Sequence, residues 1–243
     1  MGRVLLIGAK SDVARALAHE FGAAGYDLIL AARKSRELER DRADLMIRYN
    51  VGVQVEELDI TDLEQLHTWY ATLEPKPDTA ISVVGLLGVQ EEAQADWQSA
   101  KRAYETNLTG PALLLETIAA DFEQRNEGTI CGISSVAGER GRKSNYLYGS
   151  AKAGFSEYLS GLRNRLAKSN VHVVTVKPGF IDTKMTEGMP LPAPLTAQPE
   201  QVAKDIFKAC MKKKNVIYTL WMWRWIMAII RNIPEPIFKK LDL

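Results

Sequence analysis

A chain of 243 residues, 46% hydrophobic and 25% charged, is long enough to bury a large core and has the composition of a globular protein. Its net charge of +1 lacks the basic excess of a nucleic-acid-binding surface, so no nucleic-acid partner is expected. Cys131 and Cys210, the two cysteines, fit neither a metal-ligand spacing nor a disulfide framework, which points to no metal and to a reducing, cytoplasmic compartment.

At the N-terminus, Met1-Gly-Arg-Val-Leu-Leu-Ile-Gly8 has one basic residue and too short an apolar run for a signal peptide, and reads as a first strand over 3–8. Further strands are expected at 26–31, 52–58, 79–84, 128–134, 171–177 and 215–219, with segments of helical period between them. Leu28-Ile-Leu30 and Val173-Val-Thr-Val176 lack polar alternation, as strands covered on both faces do. This alternation predicts an α/β fold with a doubly wound parallel sheet of about seven strands in three αβα layers. One domain is expected over 1–220. Within it, 179–199 carries Pro190, Pro192, Pro194 and Pro199, which oppose regular helix, and reads as a substrate lid.

The first strand runs into Gly8-Ala-Lys-Ser-Asp-Val-Ala14. Gly8 allows a tight turn, and the helix that follows presents free N–H groups and a positive dipole end, which suits a pyrophosphate and makes the fold Rossmann-like. Ser11 or Asp12 can cap that helix. A glycine-rich turn would carry Gly at Asp12 and Ala14; Asp12 is expected to bond loop amides and face away from phosphate. After the second strand comes Ala31-Ala-Arg-Lys34, with no acid to bind a ribose 2′-hydroxyl, whereas Arg33, with Lys10 as a second cation, suits a 2′-phosphate. Arg33, Lys34 and Arg36 also fit the solvated start of a helix. Asp59 is placed either to reach an adenine amine or to cap a helix with Thr61 or Asp62.

Tyr148-Gly-Ser-Ala-Lys152 puts a phenol and an ammonium four residues apart, on one face of a helix. A phenol of pKa about 10 exchanges protons poorly near neutrality, and a fixed cation beside it favours its ionised form. Ser135 lies thirteen residues upstream, an offset that Tyr146 does not share.

With these pieces in order, the chain resembles the short-chain dehydrogenase/reductase family over roughly residues 3–220. The match consists of the Gly8 turn, Asn107 in Glu105-Thr-Asn-Leu-Thr-Gly110, Ser135 in Ile133-Ser-Ser-Val-Ala-Gly138, Tyr148 with Lys152, and Pro178-Gly-Phe-Ile-Asp-Thr183. The resemblance implies that Tyr148 is the general acid in reduction and that Ser135 hydrogen-bonds the substrate carbonyl. Lys152 would hold the nicotinamide ribose and lower the Tyr148 pKa, and Asn107 would keep a water in the proton relay. The implied cofactor, NADP(H), would contact Gly8, Lys10, Ser11, Asp12, Val13, Arg33, Asp59, Ile60, Gly85, Pro178, Gly179, Ile181 and Thr183, besides Tyr148 and Lys152. Where the family has Asn-Asn-Ala-Gly, this chain has Ser82-Val-Val-Gly85, so the sheet centre must be braced otherwise. The Gly8 turn and the tail look like a branch that includes decaprenylphosphoryl-2-keto-ribose reductases. Family members commonly form homo-oligomers through two long helices, here around 97–123 and 147–168. The implied activity is interconversion of a carbonyl and a secondary alcohol, with a hydrophobic or lipid-linked keto substrate. The alternative is a non-catalytic dinucleotide sensor or scaffold.

The tail over 221–243 is apolar and rich in tryptophan. Its helix, from Trp221 to before Pro234, has about 12 residues and spans roughly 18 Å, against the ~30 Å needed to cross a bilayer. Arg224 and Arg231 share one face, and Trp221, Trp223, Trp225, Ile226, Ile229 and Ile230 cover most of the rest. With Lys212–Lys214, Lys239 and Lys240 nearby, this suits either a peripheral membrane contact at the inner face of a membrane or packing on protein.

Overall fold

The computed structural model describes residues 2–241; position 1 of the expected domain and positions 242–243 of the expected tail lie outside the described residues. In chain order the elements are β1 Arg3–Ile7, α1 Asp12–Ala23, β2 Asp27–Ala32, α2 Glu39–Tyr49, β3 Val53–Glu57, α3 Leu66–Thr72, β4 Thr79–Ser82, α4 Gln90–Ala95, α5 Trp97–Tyr104, α6 Gly110–Arg125, β5 Gly128–Ile133 and α7 Tyr146–Arg165. There follow β6 Val171–Pro178, β7 Phe180–Ile181, β8 Thr196–Ala197, α8 Pro199–Met211, β9 Val216–Thr219, α9 Met222–Asn232 and α10 Glu235–Phe238.

Seven strands form one parallel sheet in the order β3-β2-β1-β4-β5-β6-β9. Successive side chains of a strand point to opposite faces, so β1 sends Val4 and Leu6 to one core and Leu5 and Ile7 to the other. Helices α1, α2 and α8 cover the first face, with Leu17, Phe21, Leu45 and Ile206 buried against it. The second face is covered by α3, α6 and α7 through Leu66, Leu115, Phe122, Phe155 and Leu159. Burial on both faces is why these strands read as unbroken apolar runs.

Two expectations are corrected. The helix expected over 97–123 is broken by a π-helical turn at Glu105–Thr109. The lid is not wholly irregular, since Phe180↔Thr196 and Ile181↔Ala197 pair as a small parallel sheet, and Pro199 already belongs to α8. Pro199 is tolerated there because the first turn of a helix needs no N–H donor. Cys131 and Cys210, remote in sequence, meet as free thiols in the core between β5 and α8. The Cys210 thiol beside it, together with burial, pushes Cys131 well above the ordinary thiol range.

The tail helix α9 divides between core and surface. Trp223 and Met227 are buried against Val136, Phe180, Leu195 and Tyr218, while Trp221, Trp225 and Ile229 are 72%, 63% and 69% exposed. Among the described residues no helix is long and apolar enough to cross a membrane.

Candidate active site

The strand order reverses between β1 and β4, and chain crossing to opposite sides there leaves a crevice at the carboxyl ends of the strands. A cleft of about 250 Å³ opens at that point. On one wall, β1 ends at Gly8, which has φ +88 and donates to Ala31 O at 2.9 Å. A Cβ there would lie 3.2 Å from Val84 N in an already strained backbone region, so glycine is required. Ser11 is the N-cap of α1, its Oγ accepting from Ala14 N at 3.2 Å. The Asp12 and Val13 amides, at the first two helical positions, have no hydrogen-bond partner among the described residues. Both residues line the cleft. Unused donors at a positive helix end, reached past a residue without a side chain, fit a dinucleotide pyrophosphate.

The other wall comes from β5 and α7. Gly138 follows the Ser135 turn and packs so closely on α7 that a Cβ would meet Ala153 N at 2.6 Å. That approach sets Ser135 beside the first turns of α7, where Tyr148 and Lys152 sit, and all three line the cleft. Ser134 is structural: its Oγ donates to Lys152 O at 2.8 Å and lies 2.7 Å from Ser156 Oγ, tying β5 to α7.

Lys152 is buried, and its Nζ donates to Val84 O at 3.1 Å and Ile133 O at 3.0 Å. Asn107, in the π-helical turn, donates through Nδ2 to Leu86 O and Ala103 O, each at 2.8 Å, and accepts from Leu86 N at 3.0 Å. These two side chains brace the end of β4 through its backbone, which explains how the chain manages without the amide side chains of the family pattern at 82–85.

Burial pushes the Tyr148 hydroxyl up to about 12, with the neighbouring Ser135 hydroxyl pulling the other way. Burial also takes Lys152 down to about 7. The expectation that Lys152 acidifies the phenol is therefore not met in the protein alone: Nζ lies 5.9 Å from the ring centroid and spends its donors on carbonyls.

The remaining candidates divide. Lys10, Gly85, Pro178, Gly179, Ile181 and Thr183 line the cleft. Lys10 is engaged with Glu37 at 2.7 Å rather than free. Asp12 does bond a loop amide, but in the lid: its Oδ2 accepts from Lys184 N at 3.0 Å. Thr183 caps the lid turn that it begins, exchanging hydrogen bonds with Thr186. Asp59 turns to Thr61, its Oδ1 accepting from Thr61 N at 2.9 Å and Thr61 Oγ1 at 2.7 Å, and it caps no helix, because α3 begins only at Leu66 with Gln65 as its N-cap. Ile60 is a core residue, buried with Leu58 and Leu66, so its side chain is unavailable to a ligand. Arg33 is exposed just past β2, with no side-chain partner among the described residues. Sequence reasoning missed Leu87, Arg142, Asn145, Met185, Met189 and Trp223, which also line the cleft. Only their chain positions, in loops after β4 and β5 and in the lid and tail, pointed toward the site. Among the described residues no cluster of His, Cys, Asp or Glu could hold a metal ion.

Comparison with known proteins places the chain in a family. The short chain dehydrogenase family profile matches residues 3–191. An uncharacterised oxidoreductase of Mycobacterium tuberculosis is 34% identical over 241 residues, covering 98% of this chain and 96% of the relative. An NADP-dependent 3-hydroxy acid dehydrogenase of Schizosaccharomyces pombe is 28% identical over 232 residues, 88% of each chain. Among solved structures, a short-chain dehydrogenase from Sphingobium yanoikuyae in complex with NADPH superposes with a TM-score of 0.82 at 22% identity, covering 97% of both chains.

Proposed function

Since the chain belongs to the short chain dehydrogenase family, we propose that it is an NADP(H)-dependent oxidoreductase that interconverts a carbonyl and a secondary alcohol, acting as a reductase of a hydrophobic or lipid-linked keto substrate. The observation that carries this reading is the convergence of Ser135, Tyr148 and Lys152 on one wall of a cleft whose opposite wall is the open amide end of α1. A bound nicotinamide supplies the hydride. Tyr148, protonated throughout the neutral range, gives its proton to the carbonyl oxygen, and Ser135 donates a hydrogen bond to that oxygen as negative charge develops. Lys152 would bind the nicotinamide ribose and replace positive charge near the phenol as the proton leaves. Asn107 holds the β4 end, against which the ring would rest. Phe180, Met185, Met189 and Trp223 give the lining a large apolar share, which supports a hydrophobic substrate.

NADP(H) is favoured by Arg33 and by the NADP dependence in the name of the Schizosaccharomyces pombe relative. Arg33→Ala should raise KM for NADPH about tenfold and leave KM for NADH nearly unchanged, the worth of a charge-assisted contact to a 2′-phosphate. Equal effects on both cofactors, measured by steady-state oxidation at 340 nm, would sink the NADP preference.

The tail extends the same reading. Trp221, Trp225 and Ile229 recur at four-residue steps on the outward side of α9, bordered by exposed Arg224, Lys239 and Lys240. Tryptophans beside cations suit the headgroup level of an anionic bilayer, at the cytoplasmic face if the substrate is lipid-linked. Full-length protein should co-sediment with phosphatidylserine-containing vesicles, and Trp221→Ser/Trp225→Ser protein should stay in the supernatant. Equal recovery of the two would remove the membrane contact.

A further inference from the structure

Arg142 lies in the loop between β5 and α7, six residues before Tyr148, and lines the same cleft. It is half-buried, and its Nε is out of reach of water with no hydrogen-bond partner. No described group pairs with the rest of the guanidinium, and burial alone, unopposed by any acid, holds its pKa below the usual arginine value. The other half-buried arginines are each answered. Arg125 donates to Asp121 Oδ2 and Pro77 O, Arg140 to Glu235 and Arg231 O, and Arg163 to Val173 O, Thr175 Oγ1 and Asn215 O. Withdrawing a guanidinium from water without a counter-charge is costly, and the cost falls when an anion meets it.

The protein offers no such anion nearby. Asp12 is the one carboxylate lining the cleft among the described residues, and its Oδ2 is bonded to the lid amide of Lys184. On the same wall as Arg142, Asn145 Oδ1 is a buried acceptor that no donor reaches. The two orphans are complementary to one kind of ligand, an anion next to a hydroxyl or N–H donor.

We infer that the carbonyl substrate carries an anionic group, a carboxylate, sulfonate or phosphate ester, which Arg142 binds while Asn145 accepts a hydrogen bond from the substrate. This deepens the oxidoreductase reading and rests on it. The guanidinium orients the substrate at one end of the cleft, so that its carbonyl reaches Ser135 and Tyr148. The apolar lining accommodates what lies between. Arg142 is then a specificity-determining residue, and its effect falls on binding rather than on the proton transfer.

The test is calorimetric titration of the full chain saturated with NADP+. The probes are 4-formylbenzoate, 4-formylbenzenesulfonate and 4-formylphenyl phosphate, with the neutral methyl 4-formylbenzoate as control. Wild type should bind at least one anionic probe about tenfold more tightly than the ester, and which one it prefers separates the three anions. In Arg142→Gln the preference should fall to roughly nothing, and Arg142→Lys should keep part of it. Affinity for NADPH alone should stay within about twofold in both variants. Equal binding of all four probes, no binding of any, or a preference that survives Arg142→Gln would overturn the inference. So would a roughly tenfold loss of NADPH affinity in Arg142→Gln, because the arginine would then serve the cofactor. Failure of wild type to bind NADPH would instead sink the oxidoreductase reading.

Discussion

Tyr148→Phe should lower carbonyl reduction at least about a thousandfold while NADPH binds within about threefold of wild type. The change removes one oxygen and leaves the ring packed on α7, so the fold and the amide end of α1 are untouched. What disappears is the proton donor, along with one partner of Ser135. Full activity in the variant would show that Tyr148 is not the acid. Full retention of cofactor binding in a wild type that reduces no carbonyl at all would favour the sensor alternative. The pH profile follows from the same two groups. Burial lowers Lys152, so its charge is present below about 7 and lost above, whereas Tyr148 keeps its proton up to about 12. Wild-type reduction should therefore decline as pH rises through about 7, as Lys152 loses the charge that supports a departing phenolic proton. A profile that is flat across this range would assign no such role to Lys152.

Trp223→Ala should destabilise the protein by about 3–5 kcal/mol, read from the shift of the denaturant midpoint. Trp223 is 4% exposed, and its ring meets Phe180 edge-on at 5.4 Å. Its Nε1 donates to Leu195 O at 3.2 Å. Phe180 lies in β7 and Leu195 directly precedes β8, so one side chain from the tail clamps both ends of the lid over the cleft that it also lines. Its removal leaves a cavity and frees the lid. KM for the carbonyl substrate should then rise more than KM for NADPH, which rests mainly on the α1 side. Gly179→Ala reaches the same contact from the other side, because a Cβ there would sit 2.0 Å from the indole. An unchanged midpoint in Trp223→Ala would show that α9 is not part of the domain's cooperative unit.

Much of this was legible in the residues because the signals are local. A parallel strand buried on both faces must be apolar along its length, so the inner strands of the sheet show as short apolar runs between helical segments, whereas edge strand β3 mixes Val53 and Val55 with Gln54, Glu56 and Glu57. A four-residue step on a helix puts Tyr148 and Lys152 on one face whatever the surroundings. The seat of the Gly8 turn needs only the strand before it and the helix after it.

What each of these groups experiences was not local. Lys152 looks like a cation placed to acidify a phenol, yet burial lowers its own pKa, and its Nζ donates to carbonyls of Val84, just past β4, and Ile133, at the end of β5. Asp12 reads as a side chain that bonds loop amides, but that the loop is the lid, through Lys184 N, came only with the fold. Lys10 reads as a phosphate ligand and is held by Glu37. Periodicity made the tail apolar nearly all round, without distinguishing the buried Trp223 from the exposed Trp221 and Trp225. The sequence by itself determined most of the elements, the parallel α/β class and the placing of Tyr148 and Lys152 on one helix face, because hydrophobic period and helix geometry act over a few residues. The tertiary structure alone decided which polar groups are answered and which, like Arg142 Nε, meet no partner among the described residues, because burial and hydrogen-bond partners come from segments far apart in the chain.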